Sequence, residues 1–367
     1  MQRKSFNKCV SCNGTELLSM AFSNDSKLLA VGYEEHITTT LGIYDVYNDF
    51  NCLKTIVYKD GGNGISSLSF SPDGRYLAAS IEDNVTILST TDWSCVYTTT
   101  PEFDYIYQTL FSPCGKYLAV CGCNGLLDLY TVDHWEHVRT TNISHEDGES
   151  IKCMSFDKHR NQLLYGTSNG IMYVVDMNTE NLKIIKGFVC GYPFISLTHS
   201  PDYRLVAGEV GEPSADSDRK VLVFSTDTYK IVADLFANNT DEFHMMCLRH
   251  SSFITSFSPD GKYLTNGSNS SNMVTWSVDN WRGYADTIPP HYTMIDYAFP
   301  FAYSPDGKYF INGGCKELVV WNLFKWSDKN NIYFGSNIRC IVFYMISLFY
   351  KGYFNELHIE MMLEIIE

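Results

Sequence analysis

A chain of 367 residues, 45% hydrophobic and 14% aromatic, can bury a large core, and its length alone would conventionally suggest two domains. A net charge of −15 and a pI near 5.0 exclude the basic surface that nucleic-acid phosphates require. Residues Met1-Gln2-Arg3-Lys4-Ser5 have no apolar run behind them, so no secretory leader is expected. Among the twelve cysteines, Cys121, Cys123, Cys153 and Cys315 fall in strand-like runs, where a free thiol behaves as a small hydrophobe. A reducing, intracellular, cytoplasmic setting is expected, without disulfides.

Residues 5–10 read as an isolated strand. From there one phrase recurs down the chain: FSNDSKLL at 22–29, FSPDGRYL at 70–77, FSPCGKYL at 111–118 and FDKHRNQL at 156–163. It continues as HSPDYRLV at 199–206, FSPDGKYL at 257–264 and YSPDGKYF at 303–310. The copies start 48, 41, 45, 43, 58 and 46 positions apart, a period that signals a propeller, solenoid or array. In Ser71-Pro72-Asp73-Gly74, proline presets φ for a type I turn and glycine accepts the left-handed conformation that a three-residue hairpin loop needs. Alternating runs on either side, such as Ile65-Ser66-Ser67-Leu68-Ser69-Phe70 and Tyr76-Leu77-Ala78-Ala79-Ser80, read as two strands. A second turn follows (Glu82-Asp83-Asn84, Cys123-Asn124-Gly125, Ser168-Asn169-Gly170), then a third strand ending in pairs such as Tyr44-Asp45, Val175-Asp176 or Trp276-Ser277. Looser fourth strands are expected near 93–98 and 229–235. Four antiparallel strands per period make one propeller blade. Beyond the repeats, residues 332–350 form a mostly apolar run long enough for a membrane span. Arg339, Asn337 and Ser336 inside it favour a partial eighth repeat, and 354–367 has helix-forming composition.

The turn phrase and its place in the period resemble the WD-repeat family over about residues 17–322. The resemblance implies an all-β, seven-bladed WD40-type β-propeller of four-stranded antiparallel blades. The expected organisation is a propeller over 1–324 and a C-terminal extension over 325–367, a partial repeat strand plus a short helix. No repeat ends in Trp-Asp and the Gly-His pair is missing, so packing between blades is expected to hold most of the structure. A ring of seven needs closing, because free ends expose sheet edges; residues 5–10 are expected to be the outermost strand of the last blade.

Catalytic and cofactor signals are weak. Gly61-Gly62-Asn63-Gly64 is followed by a strand rather than the helix whose amides would face a phosphate. Cys9 and Cys12 have zinc-knuckle spacing but no second pair nearby. His134 and His137 flank Glu136, yet positions three apart on a strand point to opposite faces. No activated nucleophile stands out, so no enzyme activity, cofactor or metal is expected.

In a propeller the turns between first and second strands lie on one face, and the loops entering first strands or joining second to third strands lie on the other. The second rim gathers carboxylates and aromatics: Tyr33 and Glu35, Glu82 and Asp83, Glu102, Asp104 and Tyr105, Tyr192, Glu209, Asp241 and Phe243, Tyr292 and Asp296. Two expanded loops, 209–219 and 237–252, belong to it. Converging carboxylates attract cations, and aromatics supply flat contact area. The expected partner-binding residues are Tyr33, Glu35, Asp104, Tyr105, Tyr192, Glu209, Asp241, Phe243, Tyr292 and Asp296. The expected function is a non-enzymatic scaffold that binds a basic protein or peptide segment and neither nucleic acid nor membrane. The wording of the repeats is also similar to the WD portions of BTB/POZ–WD proteins of large DNA viruses, which implies a substrate-recruiting adaptor of a ubiquitin ligase in a host cell. The rival of another class is a hydrolase or isomerase on a propeller scaffold.

Overall fold

The structure, a computed structural model, describes residues 7–11, 16–35, 38–59, 64–102, 105–142, 149–177, 183–211, 220–235, 254–267, 272–287, 300–313 and 317–323. Its strands form seven four-stranded antiparallel sheets. Six are built from consecutive strands, over 16–59, 65–99, 106–142, 151–189, 194–234 and 255–287; these are blades 1 to 6. Blade 7 takes Phe301–Tyr303, Tyr309–Gly313 and Glu317–Asn322, and its fourth strand is Asn7–Ser11 from the other end of the chain. Asn7 lies opposite Trp321 and Ser11 opposite Glu317, so the closing strand expected at 5–10 is present at Asn7–Ser11. The apolar run 332–350 and the extension 325–367 lie outside the described residues. Among the described residues no helix is long and apolar enough to cross a membrane.

The recurrent phrase folds alike in most copies, blade 4 differing in capping its turn with Asp157, which accepts the His159 and Arg160 amides. Ser71 Oγ donates to Asp73 Oδ1 (2.7 Å) and accepts from the Tyr76 amide (2.9 Å), while Asp73 Oδ1 accepts the Arg75 amide (3.0 Å). These side chains satisfy the amides that the tight turn leaves without ladder partners. Gly74 has φ 73°, and Gly115, Gly261 and Gly307 lie within three degrees of it. In two degenerate copies Ser26 (φ 61°) and Tyr203 (φ 58°) hold that left-handed position, and in blade 4 the left-handed residue is Asn161 (φ 50°), one place further on. The turn geometry is therefore imposed by the blade even where glycine is absent.

The innermost strand of a blade is a sheet edge, whose free amides and carbonyls need partners. Small hydroxyls of the neighbouring blade supply many of them. Ser66 Oγ donates to the Ile106 carbonyl (2.7 Å), Ser67 Oγ accepts the Thr109 amide (3.0 Å) and Ser19 Oγ donates to the Ile65 carbonyl (2.7 Å). This explains why serines alternate with apolar residues in the first strands. Apolar side chains collect between blades, in one cluster for each of the seven blade-to-blade contacts.

An aromatic residue seals most of these contacts from the turn between third and fourth strands. Phe50, Trp93, Trp135, Tyr229 and Trp281 all sit at positive φ, between 54° and 63°. Each packs against the preceding blade or the cluster shared with it. Phe50 meets Tyr309 (5.4 Å), Trp135 meets Tyr76 (5.1 Å) and Tyr97 (6.0 Å), and Tyr229 stacks on Phe188 (4.9 Å). Trp93 and Trp281 border the clusters of blades 1–2 and 5–6. Left-handed backbone is unusual for bulky residues; here it turns a large ring back into the groove between blades.

Candidate functional site: the two rims

Alternation of antiparallel strands puts the Ser-Pro-Asp-Gly turns and the third-to-fourth connections on one face. The loops entering first strands and the second-to-third connections lie on the other. The first face neutralises its own turns. Asp25 pairs with Lys27 (3.1 Å), Asp73 with Arg75 (2.6 Å) and Asp306 with Lys308 (3.1 Å); Asp202–Arg204 and Asp260–Lys262 stand at 3.8 and 3.9 Å. Blade 4 uses Arg160, which bonds the buried Asp157 (2.7 Å) and reaches across to Asp227 of blade 5. The charge of this face is thus arranged largely as pairs within turns.

On the opposite rim Glu82 is half-buried, Asp83 and Glu102 are exposed, and none makes an ion pair among the described residues. Tyr105 and Tyr192 are half-buried on this rim. Tyr105 packs edge-on to Tyr107 (5.2 Å), and Lys220 Nζ lies 5.2 Å from the Tyr192 ring. Two expected contact residues are placed elsewhere. Tyr33 is 2% exposed inside the cluster of blades 7 and 1. Glu209 is 1% exposed and accepts from Asn266 Nδ2 (2.9 Å), within a buried polar link between blades 5 and 6 that includes Thr255 and Ser196. A carboxylate on a second strand pointing between blades is consumed by the blade contact. Glu35 ends the second strand of blade 1 opposite Thr38. Asp104, Asp241, Phe243, Tyr292 and Asp296, with most of the loops 209–219 and 237–252, lie outside the described residues.

One residue of this rim escaped the sequence reading. Lys152, second in the first strand of blade 4, is half-buried and donates to Tyr107 Oη at 2.6 Å. Its signal was available by aligning the repeats: it is a cation where the corresponding residues are Leu18, Ser66, Tyr107 and Ile195. Cys123 belongs to the second-to-third connection of blade 3 rather than to a strand. Cys153 is a core thiol that burial pushes up to about 12, so it stays protonated and inert.

The histidine pair resolves simply. His134 is exposed in a turn, and His137 lies 3.5 Å from Asp128, a buried carboxylate also bonded by Thr140 Oγ1 (2.6 Å) and Tyr130 Oη (3.3 Å). Among the described residues no group of histidines, cysteines and carboxylates could hold a metal ion. One hydroxyl–imidazole pair exists near the central axis: Ser155 Oγ and His199 Nδ1, 2.7 Å apart, beside a cavity of about 270 Å³ lined also by Leu110, Pro113 and Tyr203. Burial holds His199 down at about 4, and its Nε2 is buried with no hydrogen-bond partner among the described residues. A general base needs a pKa near working pH and a group to orient it. This histidine has neither, and joins two first strands instead.

Comparison with known proteins agrees with this geometry. The family model described as "WD domain, G-beta repeat" matches residues 50–87. A stretch of 92 residues, 24% of the chain, is 34% identical to part of Minichromosome loss protein 1 of Schizosaccharomyces pombe, covering 11% of that protein. A stretch of 122 residues, 33% of the chain, is 25% identical to WD repeat-containing protein SL1-17 of Schistosoma mansoni, covering 37% of it. The chain therefore matches well under two thirds of the length of either relative. Among solved structures, the β-propeller domain of Cps50 (Swd1) from Myceliophteria thermophila superposes with a TM-score of 0.69 at 14% identity, over 86% of this chain and 99% of that one.

Proposed function

We propose that this WD-repeat β-propeller is a protein-interaction scaffold that holds a basic peptide or protein segment on its acidic loop rim. The scaffold role is the one typical of WD-repeat propellers, which are mostly non-enzymatic; the rim and the charge of the segment are our reading. One contrast carries it. The five acidic Ser-x-Asp turns of one face each fold a base onto their aspartate, whereas Glu82, Asp83 and Glu102 on the other make no ion pair among the described residues. Unpaired carboxylates around a mouth raise a negative potential that draws in a cationic chain and speeds its encounter. The flat, half-buried rings of Tyr105 and Tyr192 offer contact area at small entropic cost. A chain of net charge −15 also repels nucleic acid. Free thiols at Cys52, Cys95, Cys114, Cys121, Cys123, Cys153 and Cys190 suit a reducing, cytoplasmic location.

The test is affinity capture from cell lysate with wild type beside the triple reversal Glu82→Lys, Asp83→Lys, Glu102→Lys. A second reversal, Asp202→Lys on the opposite face, serves as control. Partners with basic segments are expected to be retained by wild type and the control, to be lost by the triple variant, and to elute as salt rises. Capture indifferent to the triple reversal would sink the rim assignment.

A further inference from the structure

The first strands of adjacent blades stand side by side around the central axis, so equivalent positions on them form rings at successive depths. Four residues before the phrase, at the loop-rim end, the ring reads Leu18, Ser66, Tyr107, Lys152 and Ile195 in blades 1 to 5. Lys152 is the one charged side chain among these five. Its ammonium leans over the Tyr107 ring, 3.9 Å from the centroid, while bonding Tyr107 Oη at 2.6 Å. Cys123 Sγ lies 3.6 Å from the same oxygen, and Tyr105 packs edge-on to Tyr107. No carboxylate among the described residues is within ion-pair distance of Lys152.

That arrangement is unfinished in charge terms. An ammonium carries three donors, and one is used here. Burial pulls the Lys152 amine below its ordinary range, the neighbouring thiols acting the other way, and burial with the Cys123 contact pushes the Tyr107 phenol up. The phenol therefore stays neutral and supplies no countercharge. A half-buried cation with spare donors and no counterion among the described residues favours an anion brought from outside. The surroundings choose among anions. Glu82, Asp83 and Glu102 share this rim, so a dianion such as a phosphate is repelled more than a monoanion. Among the described residues the site also has a single lysine, without the guanidinium fork or amide nest that phosphate sites employ.

We propose that Lys152, seated on Tyr107 at the mouth of the central channel, is the receptor for one carboxylate carried by the bound partner segment. This rests on the rim reading above and sharpens it: the segment is basic at its flanks and has an acidic residue where it crosses the channel. The Lys152 stem and the Tyr107 ring hold the ammonium in place beforehand, so little freedom is lost when the carboxylate arrives.

The experiment has two arms. In the first, two fluorescent Lys/Ser peptides, amidated and identical except for a central Glu or Gln, are titrated by anisotropy into wild type and Lys152→Gln. The Glu peptide is expected to bind wild type about five- to tenfold more tightly than the Gln peptide, with the preference gone in the variant. Should Lys152→Gln fail to fold, Lys152→Met keeps the apolar stem and serves in its place. In the second, N-acetylglutamate alone is titrated while the lysine side-chain NMR signals are followed. A saturable shift at Lys152, larger than at the exposed Lys116 and absent with N-acetylglutamine amide, is expected. Equal affinity of the two peptides for wild type, or no selective response at Lys152, overturns the proposal. If neither peptide binds while Lys152 still answers to N-acetylglutamate, the rim reading fails and the carboxylate receptor stands.

Discussion

Cys114 occupies the position that aspartate holds in the sibling turns. Its thiol lies 3.3 Å from Ser112 Oγ, where Asp25, Asp73, Asp202, Asp260 and Asp306 each accept both a serine hydroxyl and the amide two residues on. Lys116, the base of that turn, is exposed and has no carboxylate in its own turn to fold onto, Cys114 standing where its siblings carry aspartate. A sulfur is a poor acceptor for these donors, so Cys114→Asp is expected to stabilise the protein by about 0.5–1 kcal/mol, read as a raised midpoint in urea. A lowered midpoint would show that the turn of blade 3 differs from its siblings. The aromatic wedges allow a sharper test. Trp135 is 8% exposed, and its truncation to alanine should cost about 3–5 kcal/mol. Because its φ is 58°, Trp135→Gly should lose less than Trp135→Ala, by roughly 0.5–1 kcal/mol. That order is the reverse of the one in ordinary strands, and the alanine variant proving the more stable would deny that the backbone is held left-handed.

Among the described residues, the strand Asn7–Ser11 pairs with a strand remote in sequence, Glu317–Asn322. Removing residues 1–12 unpairs the third strand of blade 7 and takes away Val10, which packs against the cluster of blades 7 and 1. A loss of about 3 kcal/mol or more is expected, together with self-association through the bared edge. Thermal unfolding and size-exclusion chromatography would report both, and a monomer of unchanged stability would refute the role. This closure was legible in advance because a ring of seven needs a last strand and residues 5–10 form a strand-like run before the first blade. The blades were legible because one turn phrase marks each first hairpin. The rim was less so. An alternating pattern says that a residue leaves the strand, not whether it meets water or the next blade, so Tyr33 and Glu209 were read as contact residues although blade packing consumes them. Lys152 was missed for the opposite reason, since attention to the loops passes over a charge inside a first strand. The wedges show as an aspartate or asparagine shortly before an aromatic in Asp92-Trp93, Asp133-His134-Trp135, Asp227-Thr228-Tyr229 and Asn280-Trp281. The left-handed backbone that aims them has no residue signature of its own.

At the scale of the whole ring, the pairs that make one face neutral also set how the molecule meets acid. Blade 1 and blade 7 are joined there by Tyr47 Oη donating to Asp306 (2.6 Å), Lys308 Nζ donating to Tyr47 (3.2 Å) and the Asp306 amide donating to Ser26 Oγ (3.0 Å). Partial burial opposes ionisation of Asp306, but hydrogen bonds from Tyr47, Ser304 and Lys308 outweigh it and hold the carboxyl at about 2. Asp25, Asp73 and Asp202 are lowered in the same manner, burial acting against serine and backbone donors that prevail. A carboxyl depressed in the folded state releases its proton more readily than in the unfolded chain. Its contribution is therefore complete above the unfolded value near 3.8 and disappears as pH falls through the folded one. For Asp306, whose side chain is 23% exposed, that contribution is on the order of 1–2 kcal/mol after solvent screening. Urea midpoints are thus expected to hold from pH 7 to about 4 and to fall steeply below it. Tyr47→Phe keeps the ring but removes one of the donors that depress Asp306. Its deficit relative to wild type should be largest at neutral pH and should shrink as pH drops below about 3. A deficit independent of pH would mean that Tyr47 joins the two blades by contact alone, and that the charge at Asp306 plays no part in closing the ring.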